Sequence, residues 1–215
     1  MELMTTNFFG DRNLGLYGFA TDEYCFLGFK SKLTKKISKI LRVKVFSSTI
    51  LDTYLAGIFV TGNSRGIVLP KILEEYELKA IDVDVVKLES RYTALGNLIL
   101  MNDSGIILSP LLRNKKPQIE NFFKIPCRIT TIAGMNMVGS LAIATNKGCL
   151  TAPKITETEK KILEETLRVP IDIGTVSFGT QFVKSGIIAN SNGFLASDTS
   201  SGPELGRINE ALGFL

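Results

Sequence analysis

The sequence predicts a closed α/β ring of five similar units, on three observations. First, four stretches align: AGIFVTGNSRGIVLP from Ala56, LGNLILMNDSGIILSP from Leu95, VGSLAIATNKGCLTAP from Val138 and KSGIIANSNGFLAS from Lys184. Each is an apolar strand, a polar turn ending in glycine and a second apolar strand, and such self-similarity marks a repeat architecture. The turn glycines, Gly66, Gly105, Gly148 and Gly193, stand 39, 43 and 45 residues apart, and 215 residues is five times 43. Second, a helical pattern and then a further strand-like segment follow the hairpins. Third, the strands are apolar in runs rather than alternating, as in 106–108, which asks for burial on both faces. One unit cannot cover its own apolar surface. Five units closing on themselves remove exposed edges and hide the strands behind helices.

The elements follow in chain order. A degenerate first copy, LYGFATDEYCFLG from Leu16, has Tyr24 in the glycine's place. Leu33, Ile37, Ile40 and Leu41 then recur at helical spacing, with lysines on the outer face. Strand-like segments at 43–47, 83–88, 125–130 and 169–173 complete four units. In the second to fourth units a strand glycine stands nine residues before the turn glycine, at Gly57, Gly96 and Gly139. Asn192-Gly193 is a strong signal for a tight turn with positive φ, and Asn63, Asn102 and Asn146 read as looser versions of that chemistry. Thr156 and Glu159 form a capping box ahead of Ile162, Leu163 and Leu167. Pro117 and Pro203 sit where first-turn prolines belong, and Gly213 closes the last helix. Residues 1–215 form one domain, with no linker-like or low-complexity tract.

Composition narrows the chemistry. The chain is 45% hydrophobic and 21% charged, with no histidine, so it lacks a histidine general base, a Cys–His or Ser–His pair and a histidine-ligated metal. Cys25, Cys127 and Cys149 show no C-x-x-C spacing and are an odd number. They read as core residues in a reducing cytosol, without a disulfide or zinc site. Residues 1–9 lack the pattern of a signal peptide, and no apolar run reaches the about 18 residues of a membrane span. These features predict a cytoplasmic protein with neither cofactor nor metal. Residues 1–44 carry eight Lys/Arg against four Asp/Glu, while the remainder holds 17 of each. The excess lies mostly in 30–44, with Lys32, Lys35, Lys36 and Lys39 as a candidate basic patch.

The chain resembles the archaeal and eukaryotic translation initiation factor 6 family over essentially its whole length. The resemblance is densest at Thr93-Ala-Leu-Gly-Asn97, Asn102-Asp103, Thr145-Asn-Lys-Gly-Cys-Leu150, Ile187-Ile-Ala-Asn190 and Ser201-Gly-Pro-Glu-Leu205. It implies the pentein fold, a five-bladed pseudo-fivefold α/β propeller. It also implies binding to the large ribosomal subunit on its intersubunit face, through ribosomal proteins near the sarcin–ricin loop and ribosomal RNA. That binding blocks the small subunit by occupancy, without catalysis, and the protein is a monomer off the ribosome. Release in the family involves the Shwachman–Bodian–Diamond protein and an elongation-factor-like GTPase.

Two other functions compete with this one. The same fold hosts guanidine-modifying enzymes that use a Cys–His–carboxylate set, which this chain lacks. An RNA-binding module built on residues 30–44 is disfavoured by a net charge of only +4 and by the lack of interleaved exposed aromatics. A ring has two rims, one of hairpin turns and one of the loops leading into each hairpin at 48–53, 90–94, 131–137 and 175–180. Asn97 is the leading ribosome contact because it alone, among the residues after the strand glycines, carries an amide; satisfying a strand end is its structural alternative. Further candidates are Arg91, Thr93, Asn136, Ser140, Ser177 and Asn102. Arg91 has Glu89 as an alternative surface partner. The footprint is expected to be polar and of moderate charge.

Overall fold

The computed structural model describes residues 2–79 and 81–215. Strand β1 (Glu2–Thr6) opens the chain. The first unit holds β2 (Gly18–Ala20), β3 (Tyr24–Leu27), α1 (Thr34–Leu41) and β4 (Lys44–Ser47). The second holds α2 (Ala56–Phe59), β5 (Thr61–Asn63), β6 (Gly66–Pro70), α3 (Glu75–Leu78) and β7 (Val85–Leu88). Next come α4 (Leu95–Leu98), β8 (Ile99–Met101), β9 (Ile106–Leu108), α5 (Lys116–Phe123) and β10 (Cys127–Ile129). The fourth unit is α6 (Val138–Leu141), β11 (Ala142–Ala144), β12 (Cys149–Thr151), α7 (Glu157–Leu167) and β13 (Ile171–Ile173). The last is β14 (Ile187–Ala189), β15 (Gly193–Ser197) and α8 (Gly202–Ala211).

Each unit makes one three-stranded sheet: an antiparallel hairpin, then a third strand parallel to the hairpin's second. The fold is thus α/β and repeated five times. No strand follows α8. Instead β1 pairs parallel to β15, with Leu3 opposite Phe194, so the start of the chain completes the last sheet. The first hairpin strands β2, β5, β8, β11 and β14 contact one another in a closed circle around the axis. β6, β8, β9, β12, β14 and β15 are buried along their whole length, as the continuous apolar runs require.

The helices cover the outside as the periodicity predicts. Ile37 and Leu41 of α1 are fully buried while its lysines face solvent. The capping box of α7 is present, with Thr156 accepting from the Glu159 N–H, and α8 carries a second at Ser201 and Glu204. Pro117 and Pro203 occupy first-turn positions, and Gly213 has φ +75° beyond α8.

Two expectations are corrected. The glycines Gly57, Gly96 and Gly139 lie on one-turn helices α2, α4 and α6 rather than on strands. Together with the turns at Leu14–Leu16 and Val183–Gly186, these helices form a second closed circle about the axis. A Cβ on Gly96 or Gly139 would collide with the carbonyl of the equivalent glycine in the preceding unit, so only glycine lets these turns stack.

The turn asparagines are not held by positive φ either: Asn63, Asn102, Asn146, Asn190 and Asn192 are all outside the left-handed region. They bridge units instead. Asn63 Nδ2 donates to the Asn102 carbonyl (3.1 Å), and Asn102 Nδ2 donates to the carbonyls of Thr145 (3.0 Å) and Leu167 (2.9 Å). Asn190 Nδ2 reaches the carbonyls of Thr21 and Leu41, both at 2.8 Å. The first unit has Thr21 in this place, and Tyr24 takes over, its hydroxyl donating to the carbonyls of Asn63 (2.9 Å) and Gly66 (3.1 Å). The turn glycines answer a different need. A Cβ on Gly105 or Gly148 would strike the carbonyl of Thr166 or Ala211 at the end of the neighbouring unit's helix.

Candidate functional site

The two rims differ in what they leave unpaired. On the turn rim, the residues one step past the bridging asparagine or threonine form a run in which backbone donates to side chain from unit to unit. The Ser64 N–H donates to Asp103 (2.8 Å), that of Asp103 to Asn146 (2.9 Å), that of Asn146 to Ser191 (3.2 Å) and that of Ser191 to Asp22 (2.7 Å). Asn102 is buried here and its amide is consumed by two carbonyls, so it is a structural residue and no surface contact.

The opposite rim is built from the lead-in loops. Four of them close as tight bridged turns, Phe8 with Asp11, Ile50 with Thr53, Ile132 with Met135 and Val176 with Thr180. Their tips take positive φ at Phe9, Leu51, Asp52, Ala133, Ser177 and Phe178. Left-handed backbone at bulky residues is strained and persists only when its surroundings impose it. At the Ala133 and Phe178 tips a carboxylate imposes it. Glu159 accepts from Thr131 Oγ1 (2.6 Å) and from the Ala133 (3.1 Å) and Gly134 (3.0 Å) N–H groups while also capping α7. Glu204 repeats the arrangement with Thr175 Oγ1 (2.9 Å) and the N–H groups of Phe178 (3.1 Å) and Gly179 (2.9 Å). Burial pushes both carboxyls up, but these donors outweigh it and hold each pKa at about 2. The capping box visible in the sequence is therefore also the loop anchor.

These tips and the residues just beyond the turns present large apolar side chains. Phe178 is 78% exposed, Phe9 65% and Tyr54 52%, and Met137 is also exposed. Beside the polar residues singled out in the sequence, the rim carries exposed aromatic and apolar side chains around a polar centre.

That centre is the axial mouth, an open depression lined by residues including Arg12, Asn97, Met137, Ser140, Phe182 and Lys184. Asn97 sits on α4, half-buried, and its side-chain amide has no partner among the described residues. Strand-end satisfaction, the structural alternative for Asn97, is not what the amide does. Ser140 on the adjacent α6 also lines the mouth, half-buried, and Thr93 and Asn136 lie on the lead-in loops, half-buried and exposed. The Lys184 ammonium sits deeper and donates to the carbonyls of Gly57 (3.0 Å) and Gly96 (2.7 Å), with burial pulling its pKa down to about 7.

Other candidates are placed differently. Ser177 is buried beneath its loop, its N–H donating to Ser200 Oγ, and the neighbouring Phe178 is what reaches solvent. Arg91 is exposed and lies over the Tyr92 ring, hydrogen-bonded to its hydroxyl, while Glu89 pairs with Lys71 at 2.8 Å rather than with Arg91. Lys32, Lys35, Lys36 and Lys39 are exposed, away from the axis, and make no ion pair among the described residues. Phe9, Tyr54 and Phe178 were missed in the sequence, where an aromatic beside apolar neighbours looks like core; the signal available was their place in the loops between strands.

The cysteines are all buried. Burial raises the Cys25 and Cys127 thiols to about 12, and Cys149 higher still, so none is a surface thiolate. No group of three or more Cys, Asp or Glu among the described residues is arranged to hold a metal ion. No helix among them is long and apolar enough to cross a membrane.

Known proteins share this chain's full span. The model of the eIF-6 family matches residues 3–211. Translation initiation factor 6 of Methanosarcina acetivorans is 34% identical over 99% of both chains. That of Saccharolobus islandicus is 37% identical over 99% of this chain and all of its own. The Methanocaldococcus jannaschii protein is 38% identical over 97% of this chain and 96% of its own. With its five repeated units and this end-to-end match, the chain belongs to the translation initiation factor 6 (eIF-6) family.

Proposed function

We propose that this protein is a cytoplasmic translation initiation factor that binds the intersubunit face of the large ribosomal subunit and keeps the small subunit away by occupying that surface. The observation that carries the reading is the asymmetry of the rims. Among the described residues, the lead-in rim offers exposed apolar anchors, Phe178 on its fixed tip and Met137, around a polar mouth with an Asn97 amide that has no partner among them. Exposed aromatics held rigid around a desolvatable polar centre are the make-up of a protein-binding hot spot. Asn97, Ser140, Asn136, Thr93 and Arg91 are the proposed polar contacts, and ribosomal proteins near the sarcin–ricin loop the proposed partners. The closed circles of strands and axial turns support reading the ring as a pentein-type propeller. No chemistry is assigned to it: the thiols are buried and the sequence has no histidine to act on them. Release by a Shwachman–Bodian–Diamond protein and an elongation-factor-like GTPase follows from the family resemblance alone.

The test is co-sedimentation with purified large subunits, followed by addition of small subunits. The protein is expected to travel with large subunits and suppress the joined particle. Normal joining with the protein still bound would overturn the occupancy mechanism.

A further inference from the structure

A second surface lies on the first unit, outside the axial mouth. Phe9 and Tyr54 stack with ring centroids 5.6 Å apart and planes 14° from parallel, and both stay more than half exposed. Phe29 supports Phe9 from behind at 4.6 Å. The rings border an open depression of about 670 Å³ that Lys30, Ser47 and Thr49 also line. From Lys30 the chain runs directly into α1, whose outer face carries the exposed lysines. The whole excess of positive charge in the sequence falls within residues 1–44.

We infer that this corner of the first unit binds single-stranded RNA, with a base stacked on the Phe9/Tyr54 pair and phosphates held along the lysine face of α1. Flat exposed rings next to unpaired cations are the two components of single-strand recognition: sequence-tolerant stacking and backbone neutralisation. Two features of the sequence speak against RNA binding, a net charge of only +4 and no evident exposed aromatics near the lysines; the structure supplies the aromatics, and the positive excess is concentrated in this corner. An acidic peptide would use the cations but has no need of a flat ring pair. The lysine face of α1 also offers no apolar groove for it, since Ile37 and Leu41 point into the core. The inference goes beyond the ribosome reading, which places its contacts at the axial mouth and not on this corner, and is tested without ribosomes.

The experiment is fluorescence anisotropy of the full-length protein with a short labelled oligouridine, over salt from about 50 mM to about 200 mM. Wild type is expected to bind at low salt. Tyr54→Ala and Phe9→Ala should each weaken binding at least about five-fold with an unchanged salt slope, and Tyr54→Phe should retain it. Replacing Lys32, Lys35, Lys36 and Lys39 with glutamine should lower the slope of log K against log salt by about 2 to 3, at ~0.7 per phosphate contact. Thermal unfolding identifies any variant that fails to fold, and because Tyr54 lies far from Phe9 in sequence, either ring alone decides the stacking. Absence of wild-type binding, indifference to both ring substitutions, or equally effective competition by polyglutamate would each overturn the inference. Weakened RNA binding in the four-lysine variant with subunit binding intact would separate this site from the axial mouth.

Discussion

The turn rim and the lead-in rim are made by the same five repeats and do opposite things. On the turn rim each unit's polar side chains are used up by its neighbour: Asn102 alone satisfies two carbonyls, one in the next turn and one at a helix end. On the lead-in rim the polar work is hidden beneath the surface in Glu159 and Glu204, and what faces outward is Phe178, Met137 and the free amide of Asn97. A pseudosymmetric ring needs identical contacts to close and non-identical ones to recognise an asymmetric partner. On the function proposed above, this chain separates the two tasks onto opposite ends of one axis.

Breaking the turn rim should cost stability most. Gly148→Ala drives a Cβ into the Ala211 carbonyl and is expected to destabilise by about 3 kcal/mol, the upper part of the overpacking range, read by denaturant unfolding. Asn102→Ala strands two buried carbonyls and should cost about 2 kcal/mol, while the folded variant holds the large subunit as tightly as wild type. A binding defect without a stability defect at Asn102 would erase the distinction between the rims.

The anchors of the lead-in rim come next. Glu204→Gln weakens the hydrogen bonds that fix Phe178 and should cost about 1 kcal/mol at neutral pH. The carboxyls of Glu159 and Glu204 have folded-state pKa values of about 2 against 4.5 ordinarily, so the folded state favours the ionised form. Their stabilisation is complete above about pH 4.5 and is lost as pH falls through about 2. Unfolding midpoints between pH 5 and about pH 2 should therefore drop in wild type and flatten in the Glu159→Gln/Glu204→Gln variant. The smallest stability effects belong to the exposed groups. Phe178→Ser should leave thermal unfolding within about 0.5 kcal/mol, in line with surface substitutions, yet weaken subunit binding about ten-fold or more, as loss of an anchor does.

Much of this was legible in the sequence, for physical reasons that also explain what was not. Glycine before an apolar strand at near-constant spacing revealed the repeat, because only glycine fits where a neighbour's carbonyl presses in at Gly105 and Gly148. Thr156 and Glu159 announced a helix start, since capping is decided within four residues. The pairing of β1 with β15 was not legible: residues 2–6 carry no turn or repeat signal, and their partner lies at the other end of the chain. The turn asparagines were recognised as important for a wrong reason, because local φ preference is visible in one sequence and a bridge to the next unit is not. Asn97 emerged from the loss of symmetry, whereas Ser177 was one residue away from the side chain that reaches solvent.

The central claim is that the lead-in rim, and not the turn rim, meets the large subunit. The most direct measurement is co-sedimentation of Asn97→Ala and Asn102→Ala with purified large subunits, each beside its own thermal unfolding curve. Asn97→Ala should bind measurably more weakly and unfold as wild type does; Asn102→Ala should unfold earlier and, at temperatures where it is folded, bind normally. The reverse pattern, with Asn97→Ala unstable but fully bound and Asn102→Ala stable but released, would contradict the account.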